Sequence, residues 1–260
     1  MNFPKIGISA IGYQCAEHMD KVLAPWLDFN SKYNNIIISV AHGLFPETQK
    51  LGYPIFSTDG TIEKLKEYES KKLIKKFTLL ESPTFERDIR NFTLPHLLDS
   101  DIDYLLLLDL QDEIYTEENI INILNFAKRE SFVSFFKINF KNYVIDNHHY
   151  VDDFTAPRLW NNKLNKGVKH FYYDNEILFN NGKKADDTSC ILIPKNIAFV
   201  KHLSWVGSKE YLQRKIEFQK IHYGHCSYKW DSKKDQLALN DEYYLKYNLQ
   251  KPTIYNDNNE

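Results

Sequence analysis

The stretch "DYLLLLDLQDEIYTEENI", residues 103–120, decides the fold class. Four consecutive leucines run into Asp109, and Asp112 and Glu113 follow it. An unbroken apolar run of this kind is typical of a strand that is buried on both faces of a parallel sheet. Thr116 and the two acids behind it predict the start of a helix. Because open α/β sheets bind ligands at the carboxyl ends of their strands, these carboxylates are expected at a ligand-binding edge.

The same alternation of strand and helix extends back to the N-terminus. Short apolar or β-branched runs predict strands, and apolar residues three and four apart predict helices. The predicted strands are residues 5–11, 35–40, 77–82 and 104–110. The predicted helices are residues 15–29 (limited or kinked by Pro25), 59–76 (capped by Asp59 or Thr61), 84–98 (strained at Pro95) and 116–130. This order predicts an α/β fold with a mostly parallel, Rossmann-like central sheet flanked by helices.

The second half of the chain has a different pattern. Strands are predicted at 132–140, 169–173 and 189–194, with long polar loops between them, and Ser208 begins a predicted helix over 208–222. This pattern predicts a smaller half with mixed strands. We therefore expect one domain over residues 1–230, with halves at 1–130 and 131–230, followed by a C-terminal helix and polar tail over 231–260.

Composition limits the function classes. The 260 residues are 43% hydrophobic and 15% aromatic, which is enough for a large core, and the formal net charge is −2. No general basic field points to nucleic acid, although a local Lys patch such as "NNGKK" stays open. Three well-separated cysteines, Cys15, Cys190 and Cys226, fit reduced buried thiols better than disulfides or a zinc site. The sequence shows no membrane span or signal peptide, so a cytoplasmic protein is predicted.

The acid-ended strand and its surroundings resemble the GT-A-fold glycosyltransferases, in particular the large family 2. "YLLLLDLQDEIYTEENI" (104–120) is similar to the family's strand that carries an Asp-x-Asp motif. "FERDIRNFTLPHLL" (85–98) resembles the helix before that strand, with Arg90 and Asn91 in matching places. "KIGISAIGYQCAEHMDKVLAPWL" looks like the family's first strand and helix. "APRLW" (156–160) and "KHLSWV" (201–206) are similar to segments of bacterial and viral members, so the resemblance covers roughly residues 5–215.

Two departures from the family pattern stand out. The family usually has an aspartate after its second strand that contacts the uracil or ribose, whereas here the strand runs into "VAHGLFP". His42 or a backbone group then substitutes, or the nucleotide is held differently. The acid motif is Asp-x-x-Asp, with Gln111 or Leu110 where the other acid is expected. A one-residue insertion would reconcile both acids, with Asp109 near the nucleotide and Asp112 on the metal.

The resemblance implies roles for further residues. Arg90, Asp109 and Arg158 are predicted to bind the nucleotide sugar, and Asp112, Asp109 and His202 to bind Mn2+ or Mg2+, which prefer oxygen ligands and substrate phosphates. Trp205 is predicted to stack on an acceptor sugar. The predicted catalytic base, which takes the acceptor's proton in an inverting reaction, is Asp187 or Asp186, with Glu176 in reserve. Each of these residues could instead be a structural or solvated side chain.

The resulting hypothesis is a hexosyltransferase-type glycosyltransferase that moves a sugar from a nucleotide sugar, most simply a UDP-sugar, to a hydroxyl acceptor. The acceptor would be a glycan or lipopolysaccharide, or a hydroxylated DNA base if the chain is viral. Two alternatives remain open. One is a non-catalytic relative that binds sugar or nucleotide, supported by the two departures. The other is a nucleotidyltransferase, although "SAIGYQCAEH" lacks the Gly-rich, Arg-containing loop that such an enzyme is expected to carry.

Overall fold

The computed structural model describes residues 3–146, 148–173, 176–247 and 249–257, with only the backbone of Asp153. The first half alternates strands and helices as predicted. Its strands are β1 (Ile6–Gly12), β2 (Ile36–His42), β3 (Lys76–Leu79), β4 (Tyr104–Asp109) and the short β5 (Glu113–Ile114). Its helices are α1 (Ala16–Tyr33), α2 (Pro46–Lys50), α3 (Thr61–Ser70), α4 (Glu86–Asn91), α5 (Leu94–Leu98) and α6 (Glu117–Arg129).

The second half adds mostly strands and two helices. Its strands are β6 (Phe135–Val144), β7 (His149–Asn161), β8 (Val168–Tyr173), β9 (Glu176–Phe179), β10 (Cys190–Leu192), β11 (Phe199–Trp205), β12 (Tyr228–Asp231), β13 (Gln236–Leu239) and β14 (Tyr255–Asn256). Its helices are α7 (Lys209–Tyr223) and α8 (Asp241–Lys246). In the segment predicted as a C-terminal helix and tail, α8 follows the β12–β13 hairpin. Residues 258–260 lie outside the described residues.

One large mixed sheet runs through both halves. Its main strand order is β3-β2-β1-β4-β7-β6-β11-β5, with β10 also on β6 and β14 on β7. Strands β3, β2, β1 and β4 are parallel, whereas β7 runs antiparallel to both β4 and β6. The predicted α/β class, with a mostly parallel first half and a mixed second half, is confirmed. The carboxyl ends of β1, β2 and β4 therefore meet at one edge.

The four leucines of β4 explain why the strand is apolar throughout. Leu106 and Leu108 point to the face covered by α1, α3 and α6, and Leu105 and Leu107 point to the face covered by α5, β8 and β9. All four side chains are fully buried. Since burying a leucine stabilises a fold by about 1.5–3 kcal/mol, this run fixes β4 in the centre of the sheet.

Several predicted boundaries were wrong. Helix α1 runs past Pro25 to Tyr33, and α3 ends at Ser70 instead of residue 76. Asp59 accepts hydrogen bonds from the backbone N–H and hydroxyl of Thr61, but the residue that precedes α3 is Gly60, with a φ of 92°. The predicted helix over 84–98 is two short helices, with Pro95 in the first turn of the second, where its missing N–H costs no intrahelical bond.

The largest error concerned the long polar loops. Much of the predicted loop is strand β7, thirteen residues long, which joins the two halves of the sheet. Pro157 lies opposite Lys137, where the register between β6 and β7 shifts. A proline cannot donate to the hydrogen-bond ladder, so it is tolerated at such an irregularity. Cys15 and Cys226 are buried free thiols as predicted, but Cys190 is exposed.

Candidate active site

A cavity of about 290 Å³ opens at the edge where β1, β2 and β4 end. Its floor comes from the ends of these strands and from α4, and α7 forms the opposite wall. The polar and charged side chains that border it include Glu86, Asp109, Gln111, Asp112, His202 and Lys215. The position agrees with the general rule that open α/β sheets bind ligands at the carboxyl ends of their strands.

Asp112 lies at this cavity between two basic side chains. Its Oδ1 lies 3.3 Å from His202 Nε2, and its Oδ2 lies 3.4 Å from Lys215 Nζ. The backbone also joins the strands that carry these groups, because Leu203 N–H donates to the Asp112 carbonyl at 2.8 Å and Glu113 pairs with His202 across β5 and β11. We call Asp112, His202 and Lys215 the cavity triad.

The electrostatics of the cavity triad keep Asp112 ionised. Burial opposes ionisation, but His202 and Lys215 outweigh it and hold the pKa of Asp112 well below its usual range. The Nδ1–H of His202 donates to Asn142 Oδ1 at 2.5 Å. This contact orients the imidazole so that Nε2 faces Asp112.

Asp109 has a different environment, although it ends the same strand. Its Oδ1 accepts a hydrogen bond of 2.8 Å from Arg90, and its Oδ2 accepts one of 3.3 Å from Arg158. Arg90 also bonds Glu86 at 2.6 Å, and Arg158 bonds Glu113 at 2.5 Å. We call these five residues the buried arginine network, because Arg90, Arg158 and Glu113 are almost fully buried.

Two carboxyl groups of the buried arginine network respond differently to burial. Burial opposes the ionisation of Asp109, but Arg90 and Arg158 outweigh it and lower the pKa of Asp109. Burial raises the pKa of Glu113 to about 8; Arg158 opposes this, and the nearby carboxylates of Asp109 and Asp112 add to it. The network thus holds charged arginines beneath a crowded set of acids.

The predicted nucleotide-binding and metal-binding residues therefore separate into two groups. Asp112 and His202 are together at the cavity. Asp109 borders the cavity, but both of its oxygens are bonded to arginines. Arg90 and Arg158 are 0% and 4% exposed and pair with carboxylates instead of facing the cavity. Within the described residues, no group of three or more His, Cys, Asp or Glu side chains is placed to hold a metal ion.

The structure does not bring the predicted base or acceptor residues to this cavity. Asp186 and Asp187 are exposed in a 3-10 turn (Ala185–Asp187), whose Ala185 packs in the cluster on the α5 side of the sheet. Glu176 accepts a hydrogen bond from Tyr172 on the β8–β9 hairpin. Trp205 is 6% exposed and packs against Tyr228 at 4.4 Å, so its ring faces are covered and offer no platform for a sugar.

His42 and Gln111 mark the two departures from the family pattern. His42 is fully buried, its Nε2 lies 2.7 Å from Ser57 Oγ, and burial lowers its pKa to about 4. It therefore remains neutral near pH 7. His42 does not border the cavity. Gln111 does border the cavity, where its side-chain amide donates to the carbonyl of Tyr13 and ties the turn after β4 to the loop after β1.

Sequence reasoning missed the contribution of α7. Tyr211, Arg214, Lys215, Phe218 and Gln219 all border the cavity. Their spacing of three and four residues was visible in the sequence and places them on one helical face. Nothing in the sequence showed that this face, which mixes aromatic and charged residues, would pack over strand ends more than a hundred residues earlier.

No helix among the described residues is long and apolar enough to cross a membrane.

Comparisons with known proteins give a fold likeness. No family model matches the chain, and no curated protein matches it significantly. A crystal structure of S. aureus TarS residues 1–349 in complex with UDP-GlcNAc is similar with a TM-score of 0.52 and 13% identity, over 78% of this chain and 60% of that one. The mannosyltransferase PcManGT from Pyrobaculum calidifontis, in complex with GDP-Man and Mn2+, has a TM-score of 0.49 and 11% identity, over 84% and 62%. This chain spans less than two thirds of the TarS segment in the UDP-GlcNAc complex and shares its overall fold.

Proposed function

We propose that this chain is a glycosyltransferase that takes its sugar from a nucleoside-diphosphate sugar. The observation that carries the proposal is the cavity triad, a carboxylate, an imidazole and an ammonium group gathered at the strand ends that bind ligands in open α/β sheets. The resemblance of the sequence to family 2 supports it. So does the shared fold with TarS, which was crystallised with UDP-GlcNAc.

Two members of the cavity triad, Asp112 and His202, fit as ligands of a divalent metal ion. Asp112 Oδ1 and His202 Nε2 both border the cavity 3.3 Å apart, and Asn142 orients the imidazole. A carboxylate and an imidazole are suitable protein ligands for Mn2+, and the diphosphate and water would complete its shell. Asp109 does not fit as a ligand, because its two oxygens are bonded to arginines. When bound, the ion would neutralise charge on the departing diphosphate.

The residues of the chain perform the remaining tasks. The buried arginine network holds the end of β4 in place, and the Leu203–Asp112 backbone hydrogen bond fixes the spacing of Asp112 and His202. Lys215 provides a permanent positive charge beside Asp112. Developing negative charge on a leaving group is stabilised by such preorganised groups, which need not reorganise during the reaction.

The first test is hydrolysis and binding of a panel of UDP-, GDP- and TDP-sugars with added Mn2+. We expect slow hydrolysis of at least one donor, and Asp112→Asn is expected to lose metal dependence and most of the activity. The matched control is Asp101→Asn, whose side chain is 91% exposed and pairs with Lys163. Absence of both binding and hydrolysis across the panel would overturn the proposal.

The finer features of the reaction follow from the resemblance. Family 2 predicts inversion at the anomeric carbon and a glycan or other hydroxyl acceptor. Once an acceptor is found, the anomeric proton coupling in the NMR spectrum of the product decides inversion against retention. Retention would contradict the family 2 resemblance and leave nucleotide-sugar use intact.

One observation favours the second candidate, a relative that binds nucleotide sugars without transferring them. Among the described residues that border the cavity, each carboxylate pairs with a cation: Glu86 with Arg90, Asp109 with two arginines, and Asp112 with Lys215. No unpaired carboxylate is thus in place as a general base. Tight donor binding without hydrolysis or transfer to any acceptor would favour this candidate.

A further inference from the structure

Helix α7 packs against the protein with one face and lines the cavity with another. Leu212 and Ile216 pack into a hydrophobic cluster with Trp205, Tyr228 and residues of β6 and β7, and this packing fixes the helix on the second half of the sheet. A different face, which includes Arg214 and Lys215, lines the cavity. The apolar face therefore determines where the two cations stand.

Lys215 is held rigidly. Its ammonium lies 3.4 Å from Asp112 Oδ2, contacts Ser204 Oγ, and stands 5.4 Å above the ring of Trp205. An ammonium so placed is fixed before any ligand arrives, which reduces the entropy lost on binding.

Arg214 stands next to it without a carboxylate. Its guanidinium lies 5.5 Å from the ring centre of Tyr53 and 5.4 Å from that of Tyr211, so two aromatic rings hold it. Within the described part of the chain, no carboxylate lies within ion-pair distance of Arg214. It borders the cavity and also a second, open cavity beside Glu17 and Asp59. A planar guanidinium held in this way suits phosphate oxygens.

The charges at the cavity wall are unbalanced. Glu86 and Asp109 border the cavity but are compensated by the buried Arg90 and Arg158. Of the remaining lining charges, Asp112 brings one negative charge, whereas Lys215 and Arg214 bring two positive charges. We infer that Lys215 and Arg214 form a clamp for the diphosphate of a nucleoside diphosphate. The clamp contributes binding energy whether or not a metal ion is present. This inference rests on the proposed function, because it names the part of the donor that these two residues hold.

The test compares ligands that differ only in their phosphates. Isothermal titration calorimetry with the full chain in EDTA gives Kd for uridine and UDP, and for guanosine and GDP. We expect the diphosphate to bind at least tenfold more tightly than its nucleoside. Lys215→Met and Arg214→Met are each expected to reduce that ratio by about tenfold, as a lost charge-assisted hydrogen bond does, and to leave nucleoside binding unchanged. Lys215→Arg should retain part of the ratio.

The matched control is Lys220→Met, an exposed lysine of the same helix that does not border the cavity. Melting curves show whether each variant is folded. If Lys215→Met unfolds because Asp112 loses its partner, Arg214→Met still tests the clamp, since Arg214 has no ion pair to lose.

Three outcomes would contradict one proposal or the other. If the wild-type chain binds neither UDP nor GDP in EDTA or with Mn2+, the proposed function fails. If it binds them and the variants keep the full ratio, the clamp alone fails. The clamp also fails if the phosphates add affinity only after Mn2+ is supplied.

Discussion

Asp109 and Asp112 stand three residues apart at the end of one strand, yet they belong to different regions. Asp109 is part of the buried arginine network, where Arg90 and Arg158 occupy both of its oxygens. Asp112 belongs to the cavity triad, where a lysine and a histidine approach it from the cavity at 3.3–3.4 Å. The network holds the end of the strand in place, and the triad offers charge to a ligand.

The difference shows what the unusual acid spacing achieves. Both acids border the cavity, but the turn between them lets the first bind the buried arginines while the second contacts His202 and Lys215. On the proposed function, stability and chemistry are then carried by separate carboxylates. Mutations that alter one region should leave the property of the other region nearly unchanged, and the following predictions test that separation.

The largest effect is expected from Arg158→Met. This change removes the cation from Glu113 and one partner from Asp109, so buried acids lose their compensation, which typically costs about 3–5 kcal/mol. Urea denaturation measures the loss in the free energy of unfolding. Arg87→Met, at an exposed arginine of α4, is the control. A loss below about 1 kcal/mol would mean that the network does not stabilise the fold.

Asp112→Asn is expected to affect chemistry more than stability. The change removes the charge that orders Lys215 and His202, and donor turnover should fall by about 10²- to 10³-fold, the usual effect of losing one electrostatic stabiliser. Asp109→Asn should show the opposite pattern, with the larger loss in stability. Kinetic assays and urea denaturation on both variants check this. Equal stability losses in the two variants would show that the two regions do not differ in their contribution to stability.

His42, the last residue of β2, is kept neutral by burial. Its pKa is lowered to about 4, so the unfolded chain binds a proton below pH 6.5 that the folded chain does not. The free energy of unfolding should therefore fall as the pH drops from 6.5 to 4, by about 2–3 kcal/mol. His42→Gln should flatten this part of the stability curve. The exposed His148→Gln should not, and an unchanged curve in His42→Gln would contradict the prediction.

The smallest effect is expected from Trp205→Phe. Since Trp205 is buried beneath Lys215, the change weakens a cation–π contact and should lower the free energy of unfolding by about 1 kcal/mol. Donor Kd should change by less than a factor of about five. A large rise in the KM for an acceptor, with donor binding intact, would restore Trp205 to the acceptor role that the sequence predicted.

The sequence determines the fold class well and the site only in part. The leucine strand and the capped helix after it follow from local patterns. Thr116 and Ser208, where two helices were predicted to start, accept hydrogen bonds from the backbone N–H groups of Asn119 and Tyr211. Strand β7 was missed because its aspartates and proline are unfavourable by local propensity. Pairing with β4 and β6 overrides that propensity, and such pairing depends on residues far away in the chain.

The same limit applies to the site. Asp112 and His202 could be placed together because the family resemblance implied it, whereas the arginines were predicted to bind nucleotide and instead pair with acids beneath the strand end. Whether an arginine meets a ligand or a carboxylate depends on which buried acids lie within reach, and spacing alone does not determine that. Lys215 and Arg214 were missed for the same reason.

The backbone hydrogen bond between Leu203 and Asp112 makes the site a candidate for redesign. The bond and the β5–β11 pairing set the distance between positions 112 and 202 through main-chain atoms. Side chains at the two positions can therefore be exchanged without moving their Cα atoms. A pair of cysteines or histidines introduced there would present a soft or nitrogen-rich donor set at the same place. In an engineered protein, different pairs of side chains at these two positions would bind different metal ions on the same backbone.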